Sequence, residues 1–154
     1  KNQALFEMEN CKIVTRLLDG EFLNYSSVIP ENWETRIRVD KSAIQECFER
    51  ISLISSSSIE KEKKYPVKVN IDIGKVTISC TNQTGDAKEE MYISTEGKNL
   101  EAGFNPKYFL DAFRAIDDQE VYIDFGTSIS PCIIRPVEEG GDYVYMVLPI
   151  RMKE

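Results

Sequence analysis

The stretch LEAGFNPKYFLDAFRAI, residues 100–116, contains the local signals that decide the fold. Leu100–Phe104 is a short run with β propensity, and Asn105 follows it as a residue type favoured at a helix N-cap. Pro106 then stands in the first helical turn, where a helix tolerates proline. Apolar residues recur at helical spacing after it. They are Tyr108, Phe109, Ala112, Phe113 and Ile116. The stretch predicts a strand followed directly by an amphipathic helix.

A similar pattern lies 65 residues earlier, the difference between Asn105 and Asp40. Trp33–Val39 alternates as a strand, Asp40 is a good N-cap, and apolar residues follow at helical spacing. These are Ala43, Ile44, Cys47, Phe48, Ile51 and Ile54. At the offset of 65, Cys47 corresponds to Ala112, Phe48 to Phe113 and Ile51 to Ile116. The match is weak in identity, but it indicates an internal repeat.

Three strands are predicted after each helix, with turn signals between them. After the first helix they are Pro66–Asp72, Lys75–Cys80 and Ala87–Thr95, beyond a polar loop at Ser55–Lys64. After the second helix they are Glu120–Phe125, Cys132–Val137 and Asp142–Ile150. The order β-α-β-β-β therefore occurs twice. It predicts an α+β domain with pseudo-twofold symmetry, in which two helices pack on antiparallel sheets.

Residues 1–30 have a different character. Ala4–Met8 and Lys12–Leu18 predict a hairpin, and the irregular segment Glu21–Asn32 follows the break at Asp19-Gly20. Two strands cannot bury a core by themselves. We therefore expect this segment to need a neighbour, which is either outside this chain or supplied by the domain that follows it.

Composition excludes several function classes. The chain has no histidine, and its four cysteines (Cys11, Cys47, Cys80, Cys132) are scattered without a C-x-x-C pair. This argues against the common zinc patterns and against imidazole-based catalysis. The sequence has no phosphate-loop, dinucleotide-binding or nucleophile-elbow motif. We expect no metal, no cofactor and no enzymatic activity. The acidic pairs Glu89-Glu90 and Glu138-Glu139 are interpreted as solvated surface groups.

The net charge and the cysteines indicate what the chain binds and in which redox compartment it occurs. A net charge of −7 argues against a binder that coats nucleic acid with lysine and arginine, although it does not exclude a ring with an acidic outside. Cysteines without a disulfide framework predict a reducing, cytoplasmic setting with buried thiols.

The last predicted strand is apolar on both faces. Alternate positions place one set on each face; the sets are Tyr143, Tyr145, Val147 and Pro149, and Val144, Met146, Leu148 and Ile150. Two interpretations remain open. A strand of this kind is usually buried between layers, but Pro149 near the chain end also allows an edge strand that presents an apolar groove to a partner peptide.

Three stretches resemble the bacterial DNA polymerase sliding clamp, the β subunit of DNA polymerase III. They are YMVLPIR at 145–151, GFNPKYFLD at 103–111 and LDGEFLNY at 18–25. The resemblance spans essentially the whole chain. It implies the DNA-clamp (processivity) fold, in which each of three domains has two β-α-β-β-β units and two protomers close head to tail around duplex DNA. Residues 1–30 would be the terminal hairpin of the middle domain and the linker, and residues 31–154 the whole C-terminal domain.

The resemblance also implies a peptide-binding pocket that captures linear motifs of the polymerase III α subunit, the clamp loader δ subunit and other clamp-binding proteins. Its residues would be Leu23, Val28, Asn105, Tyr108, Ile129, Ser130, Pro131, Met146, Val147, Leu148, Pro149, Ile150 and Arg151. Leu23 stands where the family typically has proline, so the rim of the pocket is expected to differ. An apolar cleft with a few polar groups suits an extended peptide.

Two further surfaces follow from the resemblance. The homodimer interface would use Leu53 and Ile54 at the end of the first helix, next to an edge strand around Ala87–Met91. Ile54 continues the apolar helix face, whereas Leu53 departs from it. The DNA-facing cations would be Lys41, Arg50, Lys107 and Arg114, interspersed with Glu46, Glu49 and Asp111. Contacts from so mixed a face would be to phosphates and would weaken with salt.

The sequence thus predicts a non-catalytic processivity factor that encircles DNA as a ring and captures peptides. The alternative is a free-standing peptide-binding adaptor domain without a ring. An α+β enzyme with an unrecognised site is a third possibility, disfavoured by the lack of histidine and of nucleophile motifs.

Overall fold

The computed structural model describes residues 2–56, 65–138 and 140–152. Strand β1 (Gln3–Met8) pairs antiparallel with β2 (Cys11–Arg16), in register from Gln3 opposite Arg16 to Met8 opposite Cys11. The two strands form a sheet of their own, and every residue of β2 is exposed. The predicted hairpin is confirmed. A short 3-10 helix, Tyr25–Ser27, lies between it and the remaining elements.

The rest of the chain follows the predicted repeat. The first unit contains β3 (Thr35–Asp40), α1 (Lys41–Ser56), β4 (Val67–Asp72), β5 (Lys75–Asn82), β6 (Gly85–Tyr92) and β7 (Ser94–Gly97). The second unit contains β8 (Leu100–Phe104), α2 (Pro106–Arg114), β9 (Glu120–Phe125), β10 (Cys132–Pro136), β11 (Tyr145–Val147) and β12 (Pro149–Ile150). The α+β class is confirmed. The β-α-β-β-β order is also confirmed, with the last predicted strand of each unit divided into two short strands, β6 and β7 or β11 and β12.

Two five-stranded antiparallel sheets combine strands of both units. Their orders are β11-β10-β9-β3-β7 and β12-β8-β4-β5-β6. The last extended segment of each unit passes from one sheet to the other, as β6 to β7 and as β11 to β12. Because β3 pairs with β9 and β4 with β8, neither unit completes a sheet without the other.

Both helices begin at the predicted caps. The Ala43 amide donates to Asp40 Oδ1 at 2.7 Å, and the Lys107 amide donates to Asn105 Oδ1 at 3.1 Å. Each bond satisfies one of the amides that a helix start leaves without an internal partner. Pro106 is the first residue of α2, as predicted.

The core lies between the helices and the sheets. Phe48 of α1 stacks on Phe109 of α2 with ring centroids 4.6 Å apart, and Phe104 of β8 meets Phe109 edge-on at 5.3 Å. Phe48 and Phe113, which the repeat places at equivalent positions, lie 6.0 Å apart. Fully burying such side chains contributes about 1.5–3 kcal/mol each, so this cluster joins the two units.

Some details differ from the sequence prediction. Ala87–Thr95 and Asp142–Ile150 are each interrupted, because the chain changes sheets at Ile93 and at Leu148. Ala43 and Tyr108 are exposed although they fall near the apolar helix faces. Helix α1 includes Ser55 and Ser56, and the rest of the predicted Ser55–Lys64 loop lies outside the described residues.

Candidate functional site

The C-terminal strand lies at the edges of both sheets. β11 pairs with β10, with Val147 opposite Cys132, and β12 pairs with β8, with Ile150 opposite Gly103. Since each pairs on one side only, Pro149 lies in an edge strand, where a missing N–H is tolerated. Of the two interpretations left open by the sequence, the edge strand is confirmed and burial between layers is wrong.

Alternation along this edge separates a core face from an exposed face. Val147 is 3% exposed and belongs to the core, and Tyr143 and Tyr145 pack against it. The exposed face carries an apolar row, which consists of Val144, Met146, Leu148 and Ile150, exposed to 45%, 40%, 59% and 38%. Four exposed apolar side chains in one row form a surface suited to an apolar partner.

Two other elements extend the apolar surface. Helix α2 contacts β11 and carries Tyr108, which is 54% exposed. The connection between β9 and β10 carries Ile129, which is 67% exposed. Ile129, Ile150 and Arg151 share a cleft of about 370 Å³ with Gly103 and Met152. A Cβ added at Gly103 would lie 2.6 Å from Met152 Cγ, so the glycine leaves room for the last described residues to pack on β8.

The linker approaches the same strand from the other end. Leu23 and Val28 are 68% and 42% exposed. The chain between Ser26 and Glu31 borders a depression of about 440 Å³ together with the start of the apolar row. Its lining residues are Ser26, Ile29, Pro30, Glu31, Arg135 and Val144. The linker and the C-terminal strand are therefore neighbours although the sequence separates them widely.

The predicted pocket residues have unequal parts in this surface. Val147 has its side chain in the core, so that it offers only its backbone. Asn105 uses its side-chain oxygen to cap α2. Ser130 Oγ lies 2.8 Å from Thr127 Oγ, a hydrogen bond that orders the turn before β10. Pro131 borders a small cavity beside Trp33.

A buried ion cluster, not predicted from the sequence, lies beside this surface. Asp124 in β9 is directly opposite Arg36 in β3, and Arg36 donates from Nε and Nη2 to its two carboxylate oxygens at 2.5 and 2.8 Å. Arg135 in β10 places Nε 3.2 Å from Asp124 Oδ2, as an ion pair without hydrogen-bond alignment. The hydrogen bond to Asp124 raises the pKa of Arg36. An aspartate inside the apolar run Val121–Phe125 was the available sequence signal.

The predicted dimer-interface residues lie next to an edge strand. Leu53 is 68% exposed, whereas Ile54 is partly buried against the core. Arg50 donates to Glu89 of β6 at 2.8 and 3.1 Å, which ties α1 to the edge of the second sheet. This hydrogen bond lowers the pKa of Glu89.

The predicted DNA-facing cations lie among carboxylates. Arg50 contacts Glu46 at 3.6 Å as well as Glu89, and Arg114 lies 3.7 Å from Glu49 and 4.0 Å from Asp111. Lys107 is exposed and Lys41 is half-buried. The helix face is thus a mixed charged surface, as its sequence indicated.

Residues 2–56, 65–138 and 140–152 contain no group of three or more His, Cys, Asp or Glu side chains placed to hold a metal ion. Within those residues, neither helix has the length and apolarity needed to cross a membrane.

Comparison with known proteins gives a consistent result. A family model described as DNA polymerase III beta subunit, C-terminal domain, matches residues 26–151. The beta sliding clamp of Staphylococcus aureus is 33% identical over 153 residues, which are 97% of this chain and 39% of that protein. The DNA polymerase III beta subunit of Thermotoga maritima superposes with a TM-score of 0.86 at 30% identity, covering 99% of this chain and 40% of that one. The DNA polymerase III beta chain of Streptococcus pneumoniae superposes with a TM-score of 0.87 at 29% identity, covering 98% of this chain and 40% of that one. The chain thus spans about two fifths of the length of these relatives.

Proposed function

Because this chain belongs to the DNA polymerase III beta subunit family, we propose that it is the peptide-capturing part of a sliding clamp, a non-catalytic processivity factor. The relatives it matches are named beta sliding clamps. In such a factor, polymerase and repair proteins are held by short linear motifs while a ring keeps the assembly on DNA. Residues 31–154 form the C-terminal clamp domain in this proposal, and residues 1–30 belong to the middle domain and the linker.

The observation that carries the proposal is the apolar row on the C-terminal edge. A free edge offers unpaired backbone groups, and an extended peptide can use them while its alternate side chains enter pockets. The exposed side chains of Met146, Leu148 and Ile150 supply the apolar contacts, with Tyr108 and Ile129 beside them. Met146 is unbranched and polarisable, which suits a site that accepts several partners.

The ring requires a second surface, which we place at β6 and the end of α1. Among the described strands, β6 pairs with β5 alone, so its outer edge is available to another chain. Leu53, three residues after Arg50 on α1, is an exposed apolar group. The Arg50–Glu89 contact fixes the helix end against β6. Head-to-tail association at this edge would turn α1 and α2 of each protomer towards the enclosed DNA.

A titration of isotopically labelled protein tests the peptide site. The probe is a synthetic glutamine- and leucine-rich peptide that ends in an aromatic residue. We expect shifts of the backbone amides of Tyr108 and of the non-proline residues in 146–150, with a Kd of about 10–1,000 μM, or about −4 to −7 kcal/mol. Leu148→Ala or Tyr108→Ala should weaken binding by about 1–3 kcal/mol, because each removes apolar contact area and shape.

Two variants serve as controls for the titration. Leu53→Ala truncates a leucine of similar exposure at the other edge of the domain, 68% against 59% for Leu148. Glu138→Ala alters an exposed acid. Neither should change the affinity. Shifts that cluster at Glu138 or Leu53 and spare the C-terminal row would show that the site is misplaced.

A further inference from the structure

The Arg36–Asp124–Arg135 cluster holds the linker as well as the sheet. The Asp124 side chain is 6% exposed and has an arginine on each side. Arg135 Nη2 donates to the carbonyl oxygen of Pro30 at 3.2 Å. The guanidinium of Arg36 lies 4.7 Å from the ring centre of Trp33 and 4.6 Å from that of Tyr122. The chain is thus bound to the same carboxylate through its arginines at two points, at Pro30 in the linker and at Trp33 just before β3.

Stability alone does not account for such a cluster. Removing charges from water is costly, and a buried ion group can often be replaced by apolar side chains with no loss of stability. A partly buried charged network instead favours one geometry, because its hydrogen bonds and ion pairs form together only in that arrangement. The geometry fixed in this case is the path of the linker across β9 and β10.

Pro30, which Arg135 holds, is close to the linker residues that border one side of the proposed peptide site. We call this side the linker wall. The amides of Val28 and Ile29 donate to the Tyr25 carbonyl at 3.1 and 3.2 Å, so this turn is continuous with Pro30. Ser26 and Ile29 border the depression that Arg135 shares with Val144, the first residue of the apolar row. A shift at Pro30 would therefore move the turn relative to the row.

We infer that Arg135, oriented by Asp124, is a positioning residue that holds the linker turn at residues 25–30 beside the C-terminal row. Arg135 does not contact the peptide in this inference; it sets the distance between the two walls of the site. The consequence for affinity rests on the proposed peptide-binding function. The ordering of the linker does not, and it can be measured without any peptide.

The test is Arg135→Met, which keeps an apolar stem of similar length and removes both polar contacts. Arg36 still pairs with both oxygens of Asp124, so the core should stay folded. We expect the Val28 and Ile29 amides to exchange with solvent about 10-fold faster, with exchange in β9 unchanged. Peptide affinity should fall about 3- to 10-fold, because the turn must be ordered on binding.

Matched variants distinguish a role of Arg135 in positioning the linker turn from a non-specific loss of stability. Arg38→Met removes an exposed arginine of β3 that pairs with Glu120 of β9 in the same sheet, and it should leave linker exchange unchanged. Arg135→Lys keeps the charge but cannot reach both partners with a planar fork, so its linker exchange should be intermediate. Leu148→Ala should weaken the peptide without altering linker exchange.

The outcomes separate the two proposals. Unchanged Val28 and Ile29 exchange in folded Arg135→Met, or in Arg135→Lys if the methionine variant does not fold, overturns the inference. Faster exchange of the Val28 and Ile29 amides with unchanged peptide affinity shows that Arg135 holds the turn, but it overturns the inferred effect of the turn on peptide binding. If the unaltered chain binds no peptide, the proposed function fails, and linker exchange still decides whether Arg135 holds the turn.

Discussion

At Gly97 the backbone φ is +95°, and an added Cβ would lie 1.9 Å from the carbonyl oxygen of Glu34. The neighbouring contacts leave little freedom. The Lys98 amide donates to this same Glu34 oxygen at 3.1 Å, and Thr35 Oγ1 donates to the Lys98 carbonyl at 2.7 Å. The close approach of β7 to the start of β3 therefore requires a residue without a side chain.

Gly97→Ala should destabilise the domain by about 2–4 kcal/mol, since it adds a backbone clash to a strained φ. Gly140→Ala is the matched control, because Gly140 has the same φ of +95° with no atom within 4 Å of an added Cβ. Gly140→Ala should lower the free energy of unfolding by only about 1 kcal/mol, because it adds backbone strain without a clash. Urea unfolding measures both. Equal losses in the two variants would show that the clash is relieved by movement.

The cysteines differ sharply in accessibility. Cys11 is exposed, and Cys47, Cys80 and Cys132 are buried. Burial raises the pKa of Cys47 to about 11 and also raises that of Cys132. The thiolate, not the thiol, is the nucleophile that reacts with thiol reagents. At pH 8 we expect one fast-reacting thiol per folded chain, and four after unfolding in urea. Cys11→Ser should abolish the fast reaction; a second fast thiol in the folded protein would contradict the burial.

The raised pKa of these thiols also gives a direction for alkaline stability. Between a pKa of about 8.5 for an unfolded cysteine and about 11 for Cys47, the folded state retains a proton that the unfolded state releases. The folded state then binds more protons, so the free energy of unfolding falls as pH rises through this interval. At pH values of about 7 and lower, where the thiols are protonated in both states, they contribute almost no pH dependence.

Among the elements, the two helices could be predicted from sequence because their signals are local. A cap, a first-turn proline and apolar residues at helical spacing all lie within one short stretch. The strand breaks at Ile93 and Leu148 could not be predicted in this way, since they arise where an edge segment changes its partner sheet. The pairing of Arg36 with Asp124 depends on the register of β3 against β9, which is also long-range.

The cap of α1 provides a test at this scale. Asp40→Ala should lower stability by about 1 kcal/mol, because the Ala43 amide loses its carboxylate acceptor. Asp117→Ala removes an exposed aspartate from the irregular segment after α2 and should have almost no effect. Chemical denaturation of the three proteins gives the comparison. Equal stabilities of the Asp40 and Asp117 variants would show that the cap is not a determinant of the helix.

In the whole molecule, the two units share both sheets, while the hairpin β1–β2 stays outside them. Leu5, Phe6 and Val14 on that hairpin are 58%, 57% and 61% exposed. A two-stranded sheet with so much apolar surface is only marginally stable in water. This exposed surface supports the proposed assignment of residues 1–30 to the middle domain and the linker, because the rest of such a domain would cover the hairpin.

The affinity of this chain for DNA depends on the charge of the molecule as a whole. The net charge is −7, and the arginines of the helix face lie within 4.0 Å of carboxylates. Few cations can therefore neutralise phosphates, and retention by a clamp would have to come from encirclement. We expect that sedimentation of the 154-residue chain will show no closed ring. We also expect the chain to bind linear duplex weakly, with an affinity that vanishes as salt rises.

Gel filtration with circular and linear DNA of equal length provides the measurement for this prediction. With about two phosphate contacts, log K should fall against log salt with a slope of about −2, and DNA topology should make no difference. Lys107→Gln should reduce this slope by about 1, whereas Lys12→Gln on the hairpin should leave it unchanged. Salt-resistant retention on circular DNA alone would show that these residues close around DNA by themselves. The two helices would then enclose the duplex without the remaining three fifths of the relatives' length.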